Sequence, residues 1–236
     1  NYLEKFSKYG QNNNIFSSGP LLIDEFLTDA IEVDVDLISD GDEVFIAGIM
    51  EQLEPAGIHS GDSIAVLPPF SIDSKTIKQL EHISKKLALS LNVVGLLNIQ
   101  FAIKENRIYV LEANPRASRT MPFVAKVTKN QIIKAGTLLM LGYSLDEIKK
   151  NTDYLNGKNT KVAVKMAIFP WSRFPSENIL LGPEMKATGE VLGIGNNLGI
   201  ALNKAYTASG INLSTTRNGV FVSLSDKEKP NFLNIV

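Results

Sequence analysis

The chain has 236 residues and is 44% hydrophobic, enough to bury a sizeable core as one domain or one domain with a fragment. Its 24 Lys and Arg against 25 Asp and Glu leave a net charge of −1, so no global basic field argues for nucleic acid or an anionic membrane, and any ligand must be held by a local site. Cysteine is absent, which excludes disulfides and thiolate metal sites and fits a reducing compartment, with the cytoplasm as the expected location.

The chain opens on Asn1 without a charged leader and apolar stretch, and it is expected to be a piece of a longer protein. Gln11 to Asn14 with Ser17, Ser18 and Gly19 reads as a surface loop, and Leu21 to Phe26 as a short strand. Ile31 to Ile38 and Val44 to Met50 are two strands around the turn Ser39-Asp40-Gly41-Asp42. In the first strand Glu32, Asp34 and Asp36 alternate with Val33, Val35 and Leu37, so three carboxylates share one face. A charged strand face of this kind is expected to be solvated, with Asp34 and Asp36 as solvent-facing neighbours of Glu32.

The stretch Glu54 to Pro69 is a loop rich in Gly and Pro. A helix begins near Ser71 or Asp73, with Ile77, Leu80, Ile83, Leu87 and Leu91 forming its packing stripe and His82 on its solvated side. The longest uncharged run, Leu87 to Ile103, is broken by Ser90, Asn92, Asn98 and Gln100 and does not read as a membrane span. Leu96 to Ile103 and Ile108 to Asn114 form a hairpin turning at Glu105, Asn106 and Arg107. With a three-residue turn Lys104 pairs with Ile108, which sets Gln100 opposite Glu112 and Asn98 opposite Asn114.

Gln131 to Leu141 reads as a helix stopped by Gly142, and Ser144 to Glu147 as a capping box opening another. Phe169, Trp171 and Phe174 with prolines 170 and 175 read as loop packing. Gly193-Ile-Gly195 lacks the third glycine and the strand–helix frame of a dinucleotide site. Asn197 to Ser209 reads as a helix stopped by Gly210, and Asn218 to Leu224 as a strand before a helix capped by Ser225 or Asp226. Strands and helices in mixed order give an α+β class with a largely antiparallel sheet.

Gln100, Glu112 and Asn114 are the residues of first chemical interest. All three offer oxygen, as a hard cation such as Mg²⁺ requires, and a single carboxylate among them suits a metal whose other positions are filled by water and substrate phosphate. The plainer reading is a hydrogen-bonded polar cluster on a solvated sheet face. Directly after Pro115 the chain leaves the sheet carrying Arg116 and Arg119, whose planar forks suit phosphate oxygens; surface ion pairing is the alternative. Gly57 and Gly61 flank Ile58, His59 and Ser60 in a loop whose backbone N–H groups can approach a ligand, although such loops are also ordinary turns. With no nucleophile motif beside it, His59 reads as a positioned hydrogen-bond donor rather than a base.

Together these segments resemble the large chain of carbamoyl-phosphate synthetase, an ATP-grasp enzyme. The resemblance rests on Glu32-Val-Asp-Val-Asp36, Ala56-Gly-Ile-His-Ser-Gly-Asp-Ser63, Asn98-Ile-Gln-Phe-Ala102, Glu112-Ala-Asn-Pro-Arg-Ala-Ser-Arg119 and Leu181-Gly-Pro-Glu-Met-Lys-Ala-Thr-Gly-Glu-Val191. It covers about residues 20 to 236, and its Asn98, Arg119-Thr-Met-Pro-Phe123 and Leu-Gly-Pro-Glu-Met features are similar to the carbamate-phosphorylating C-terminal half.

The resemblance implies an ATP-grasp fold, with residues 1–141 the C-terminal part of the ATP-grasp domain, 142–209 the closing segment of the carbamoyl-phosphate synthetic domain and 210–236 the start of a Rossmann-like allosteric domain. It further implies that Glu25 and Leu27 contact adenine, Glu32 the ribose, and Gly57, Ile58, His59 and Ser60 the nucleotide. Gln100 and Glu112 would hold Mg²⁺ or Mn²⁺ with Asn114 completing the second metal, and Arg116 and Arg119 would grip the phosphoryl group and carbamate. The implied partners are a glutamine amidotransferase subunit or domain and the N-terminal half of the same large chain, with no nucleic acid and no membrane. By the same resemblance, the family's phosphate lid and an ATP-contacting arginine are expected upstream of Asn1. Alternatives are another ATP-grasp ligase joining a carboxylate to an amine, or a non-catalytic ATP-binding module.

Overall fold

Polar and apolar residues alternate along residues 31–37, and in the computed structural model this segment belongs to an inner strand of a seven-stranded antiparallel sheet. The structure describes residues 25, 27–158, 160–171, 173, 174, 176, 178–211, 222–224, 226 and 229–232. The strands are β1 (Ile31–Asp40), β2 (Val44–Gln52), β3 (Ala65–Leu67), β4 (Val94–Lys104), β5 (Arg107–Asn114), β6 (Val162–Ile168) and β7 (Gly189–Gly195), in spatial order β5-β4-β1-β2-β3-β6-β7. The helices are α1 (Ser74–Ser90), α2 (Met121–Thr128), α3 (Ile132–Met140), α4 (Leu145–Asn151), α5 (Leu198–Ala208) and the single turn α6 (Lys229–Phe232). Among the described residues no helix is long and apolar enough to cross a membrane.

Helices cover both faces of the sheet. On one face α1 packs over Val33, Val35, Leu37, Leu97, Ile99 and Phe101. Asp73 caps α1 by accepting from the Thr76 N–H at 2.7 Å, and its buried stripe is Leu80, Ser84 and Ala88 flanked by Ile77, Ile83 and Leu87. The small residues in that stripe let the helix sit close to the strands. Leu91, expected in the stripe, is the C-cap and is 54% exposed, whereas His82 is solvated as expected.

The opposite face is apolar where α2 and α3 cover Ile38, Met50, Ala65 and Leu67. The segment forming α2 carries no helical pattern strong enough to have been expected, and Pro122 in its first turn is its local signal. The capping box at Ser144 forms as expected, Glu147 accepting from the Ser144 N–H at 2.8 Å while the Ser144 hydroxyl accepts from the Glu147 N–H.

Three strands are additions to the expected set. β3 lies inside what reads as an uninterrupted loop, being too short for its alternation to register, and β6 and β7 complete the sheet. The Gly193-Ile-Gly195 stretch is in fact framed by a strand and a helix, β7 and α5, but for packing. A Cβ at Gly193 would sit 2.0 Å from the Ala201 carbonyl and one at Gly195 2.7 Å from the Ala201 nitrogen, so the glycines let α5 seat on β7. Phe169 and Trp171 stack with centroids 5.0 Å apart, the loop packing expected there, whereas Phe174, expected with them, is exposed. The expected loop at residues 11–14, the strand at 21–26 apart from Glu25, Pro175, and most of the 210–236 segment, with 218–221 of its expected strand, lie outside the described residues, and the described remainder of that strand, 222–224, is not in a strand.

Candidate functional site

The β4–β5 hairpin reaches the expected pairing by a different route. Its turn has two residues, Glu105 and Asn106, at φ 51° and 62°, and Lys104 pairs with Arg107 rather than Ile108. Such a left-handed pair matches the twist of the flanking strands. Carried inward without interruption, that register would set Glu112 opposite Ile99 and turn it to the apolar face. A bulge intervenes: Phe101 pairs with Val110 and Gln100 with Glu112, leaving Leu111 as the extra residue. Asn98 then pairs with Asn114, and Gln100, Glu112 and Asn114 share one face.

That face is not solvated where it continues onto β1, contrary to the expectation for its carboxylates. Glu32, Asp34 and Asp36 are 4%, 1% and 0% exposed. Flanked by β2 and β4, they lie beneath neighbouring side chains and the loops, and amides and hydroxyls replace the water. Asp34 accepts from Gln52 Nε2 at 2.5 Å, Asn98 Nδ2 at 3.2 Å and Gln100 Nε2 at 3.3 Å. Asp36 accepts from Asn98 Nδ2 at 2.9 Å and from the Ser118 and Thr120 hydroxyls at 2.8 and 2.7 Å. Glu32 accepts from the Gly57 N–H at 3.3 Å.

Burial pushes all three carboxyls up. Glu32 rises to about 7, with Asp34 and Glu112 adding like-charge repulsion against the Gly57 hydrogen bond. Asp36 rises to about 6, its Thr120 and Asn98 hydrogen bonds opposing the desolvation. Asp34 is also raised by desolvation, against its three amide donors and the nearby Lys165 cation.

The Gly57–Ser63 loop closes over this floor. His59 Nδ1 accepts from the Gly61 N–H at 3.0 Å, which assigns the remaining ring proton to Nε2 as an available donor. A Cβ at Gly61 would come 3.1 Å from His59 Nδ1 and 2.8 Å from Met185 Sδ, so a larger residue would have to displace the Met185 side chain. Buried Asp62 accepts from the Lys186 and Ala187 N–H groups, each at 2.8 Å, and the His59 N–H donates to the Gly182 carbonyl at 2.8 Å. The Leu181–Val191 segment is thereby pinned to the loop, and it brings Pro183 to the cleft wall.

Lys165, in β6, was missed by sequence reasoning. It is 1% exposed, burial lowers its pKa, and its Nζ donates to the Ser60 carbonyl at 2.8 Å. A lysine between Val164 and Met166 reads as an ordinary outward residue until the loop is laid over it.

A cleft of about 490 Å³, a size suited to a small ligand, is bounded by these elements. Ten expected residues line it: Glu32, Gly57, Ile58, His59, Ser60, Gln100, Glu112, Asn114, Arg116 and Arg119. Glu25 and Leu27 do not; the first is exposed and the second half-buried ahead of β1. Asp34, Asn98, Leu111, Ser118, Thr120 and Pro183 line it without having been expected as ligand contacts. The alternation of β1 was the available signal for Asp34.

Cations and oxygen donors face each other across the cleft. Neither Arg116 nor Arg119 forms an ion pair with a described residue; Arg116 donates to the Ala117 carbonyl at 3.2 Å, and Arg119 lies against the Met185 thioether. Asn114 Nδ2 donates to Glu112 Oε1 at 2.8 Å, and Gln100 Nε2 is committed to Asp34 and to Ser60 Oγ, the latter at 3.1 Å. Gln100 Oε1, Glu112 Oε2 and Asn114 Oδ1 consequently accept no hydrogen bond among the described residues. Nor do those residues hold a cluster of three or more His, Asp or Glu side chains suited to a metal. A cation here would draw on one carboxylate, neutral amide oxygens and its ligand's own oxygens, as Mg²⁺ commonly does.

Residues 3–148 match the family model described as carbamoyl-phosphate synthase L chain, ATP binding domain. The chain is 52% identical over 210 residues to the carbamoyl phosphate synthase large chain of Archaeoglobus fulgidus, covering 89% of this chain and 19% of that protein. It is 42% identical over 229 residues to the large chain, C-terminal section, of Aquifex aeolicus, covering 92% and 42%. The chain thus spans less than half the length of these relatives. Among solved structures, the biotin carboxylase domain of a single-chain bacterial carboxylase superposes with a TM-score of 0.53 at 15% identity, covering 67% of this chain and 36% of that one. The Campylobacter jejuni biotin carboxylase complex with β,γ-ATP gives 0.51 at 19% identity, over 62% and 31%. At such identities these two establish the fold, the expected α+β arrangement of antiparallel sheet and packed helices.

Proposed function

The chain belongs to the carbamoyl-phosphate synthase large-chain ATP-binding family, and from that premise we propose that it supplies the nucleotide, metal and phosphoryl contacts for ATP-dependent phosphorylation of carbamate to carbamoyl phosphate. The observation carrying this reading is the cleft itself, where among the described residues Gln100, Glu112 and Asn114 present uncommitted oxygens and Arg116 and Arg119 have no carboxylate partner.

In this reading Glu32 receives the ribose hydroxyls, and the backbone of Gly57 to Ser60 lines the nucleotide with His59 Nε2 as a donor. Glu25 and Leu27 contact adenine from the segment before β1. Gln100, Glu112 and Asn114 hold Mg²⁺ or Mn²⁺, which supplies charge neutralisation for the phosphate oxygens when bound. Arg116 and Arg119 orient the carbamate and the γ-phosphoryl group and stabilise charge on its oxygens as a carbamate oxygen forms the new bond to phosphorus and the bond to the ADP oxygen breaks. The work of the protein is positioning, since the carbamate oxygen is already a nucleophile and no proton need be taken from it.

The proposal extends to a glutamine amidotransferase partner supplying ammonia and to the preceding half of the large chain supplying carbamate. In the complete protein, Glu112→Ala is expected to abolish metal-dependent carbamoyl phosphate formation with an unchanged circular dichroism spectrum, because it deletes the one strong anionic donor of the trio. Near-normal product formation by that variant refutes the assignment. ATP turnover that follows an organic acid rather than carbamate transfers the site to the wider ligase class.

A further inference from the structure

Beneath the oxygen donors lies a band of polar side chains crossing the sheet on one face. It runs from Lys165 in β6 through Gln52 in β2 and Asp34 in β1 to Gln100 in β4 and Glu112 in β5. Asp34 sits at its centre and touches three primary amides, each of which turns its nitrogen toward the carboxylate. An ionised carboxylate is acceptor-only, so it selects the NH₂ end of every amide beside it.

The cost of that selection is visible at Gln52, whose Oε1 is buried without a partner among the described residues. Turning that amide over would set an oxygen against the carboxylate, so the orphaned carbonyl is the lesser penalty. For Gln100 the same selection has a use. Both hydrogens of its amide are accounted for, one by Asp34 Oδ1 and one by Ser60 Oγ, and the carbonyl end is left for the cleft. Both acceptors are themselves held, Asp34 by Gln52 at 2.5 Å and the Ser60 main chain by the buried Lys165 ammonium at 2.8 Å.

We propose that Asp34 is a positioning residue that fixes the amide orientation of Gln100, so that Oε1 rather than the NH₂ group faces the bound cation. This rests on the preceding reading, in which Gln100 is a metal ligand. An amide turned the wrong way presents hydrogens to a cation and contributes repulsion instead of a bond. Groups that orient a ligand in this manner typically alter metal affinity by about ten- to a hundredfold when removed. The scaffold explanation, that Asp34 is simply a satisfied buried acid, predicts lost stability with metal affinity unchanged in whatever protein remains folded.

The test uses the full-length large chain, a non-hydrolysable ATP analogue and Mn²⁺, with bound ions counted by electron paramagnetic resonance. Gln100→Ala first identifies the class of ions belonging to this site; if it changes no class, the ligand reading fails and this proposal with it. Asp34→Asn is expected to weaken that class by about tenfold. Gln100→Glu alone, which opposes two carboxylates, is expected to weaken it similarly.

The decisive variant is the exchange Asp34→Asn with Gln100→Glu, which keeps net charge and again pairs one carboxylate with one amide. Recovery to within about threefold of the natural protein is expected, and a scaffold role does not predict it. Affinity within about twofold for Asp34→Asn, or an exchange variant no better than the weaker single change, overturns the proposal. Should Asp34→Asn fail to fold, Ser60→Ala removes the other acceptor of the Gln100 amide and leaves the floor intact. A smaller weakening, about threefold, is expected there, and unchanged Mn²⁺ binding overturns the proposal equally.

Discussion

Along β1, Val33, Val35 and Leu37 pack beneath α1 while Glu32 and Asp34 line the cleft and Asp36 continues the same face, and both sets are shielded from solvent to nearly the same degree. The apolar set is held by transfer from water and close packing, which are indifferent to orientation. The acidic set is held by at least seven directed hydrogen bonds from amides, hydroxyls and one backbone N–H. One face can exchange one hydrocarbon for another of similar volume; the other requires each donor to meet its acceptor. A binding floor made the second way has its polar groups already oriented when a ligand arrives, so less ordering remains to be done on binding.

The contrast can be broken most severely by moving the chemistry of one face onto the other. Val35→Asp places a carboxylate in the apolar cluster of Leu80, Ile99 and Phe101, and a loss on the order of 4 kcal/mol or more is expected, read as loss of the folded protein in thermal or denaturant unfolding. Removing an acceptor from the acidic face is milder. Asp36→Ala leaves the Asn98 amide and the Ser118 and Thr120 hydroxyls without their shared partner, which predicts about 2 to 3 kcal/mol by urea unfolding. A change below about 0.5 kcal/mol there would mean that the hydrogen bonds do not hold the face.

A pH titration of stability sharpens the same contrast. Glu32 and Asp36 bind protons more tightly folded than unfolded, with folded values of about 7 and about 6. Through that window the folded state carries more protons at these two groups than the unfolded one, so their contribution to stability is full below the ordinary carboxylate range and falls as pH rises toward neutrality. Glu32→Gln is expected to flatten the part of the slope nearest neutrality while Val33→Ala leaves the slope unchanged and lowers the whole curve; a stability that climbs across this interval contradicts the buried-acid account. The smallest effect belongs to an exposed pair. Lys149 and Glu43 meet at 2.9 Å with 43% and 55% of their side chains exposed, and Lys149→Ala should cost less than about 0.5 kcal/mol by the same unfolding assay.

Much of the site was legible before folding because its residues are local. Gln100, Glu112, Asn114 and the two arginines after Pro115 lie within one hairpin and its exit, where alternation and a turn bring them together over short distances. Their agreement with expectation still depended on two departures that cancel, a shorter turn and a bulge at Leu111, and periodicity alone could reveal neither. The carboxylates of β1 were visible as a row and misread as solvent-facing, because alternation indicates two faces without saying what lies over each. β3 was hidden by its brevity, and β6 and β7 become a sheet edge only through pairing with it.

Sequence alone therefore determined the caps of α1 and α4, the two hairpins, and the resemblance that assigns the family, since each depends on residues a few positions apart or on whole motifs. Tertiary structure alone decided that Glu32, Asp34 and Asp36 are buried, that Lys165 lies under the Ser60 loop, and that the Leu181–Val191 segment is tied to that loop through Asp62. The physical reason is that solvation, and with it the state of every buried charge, depends on what distant strands and loops place above a residue.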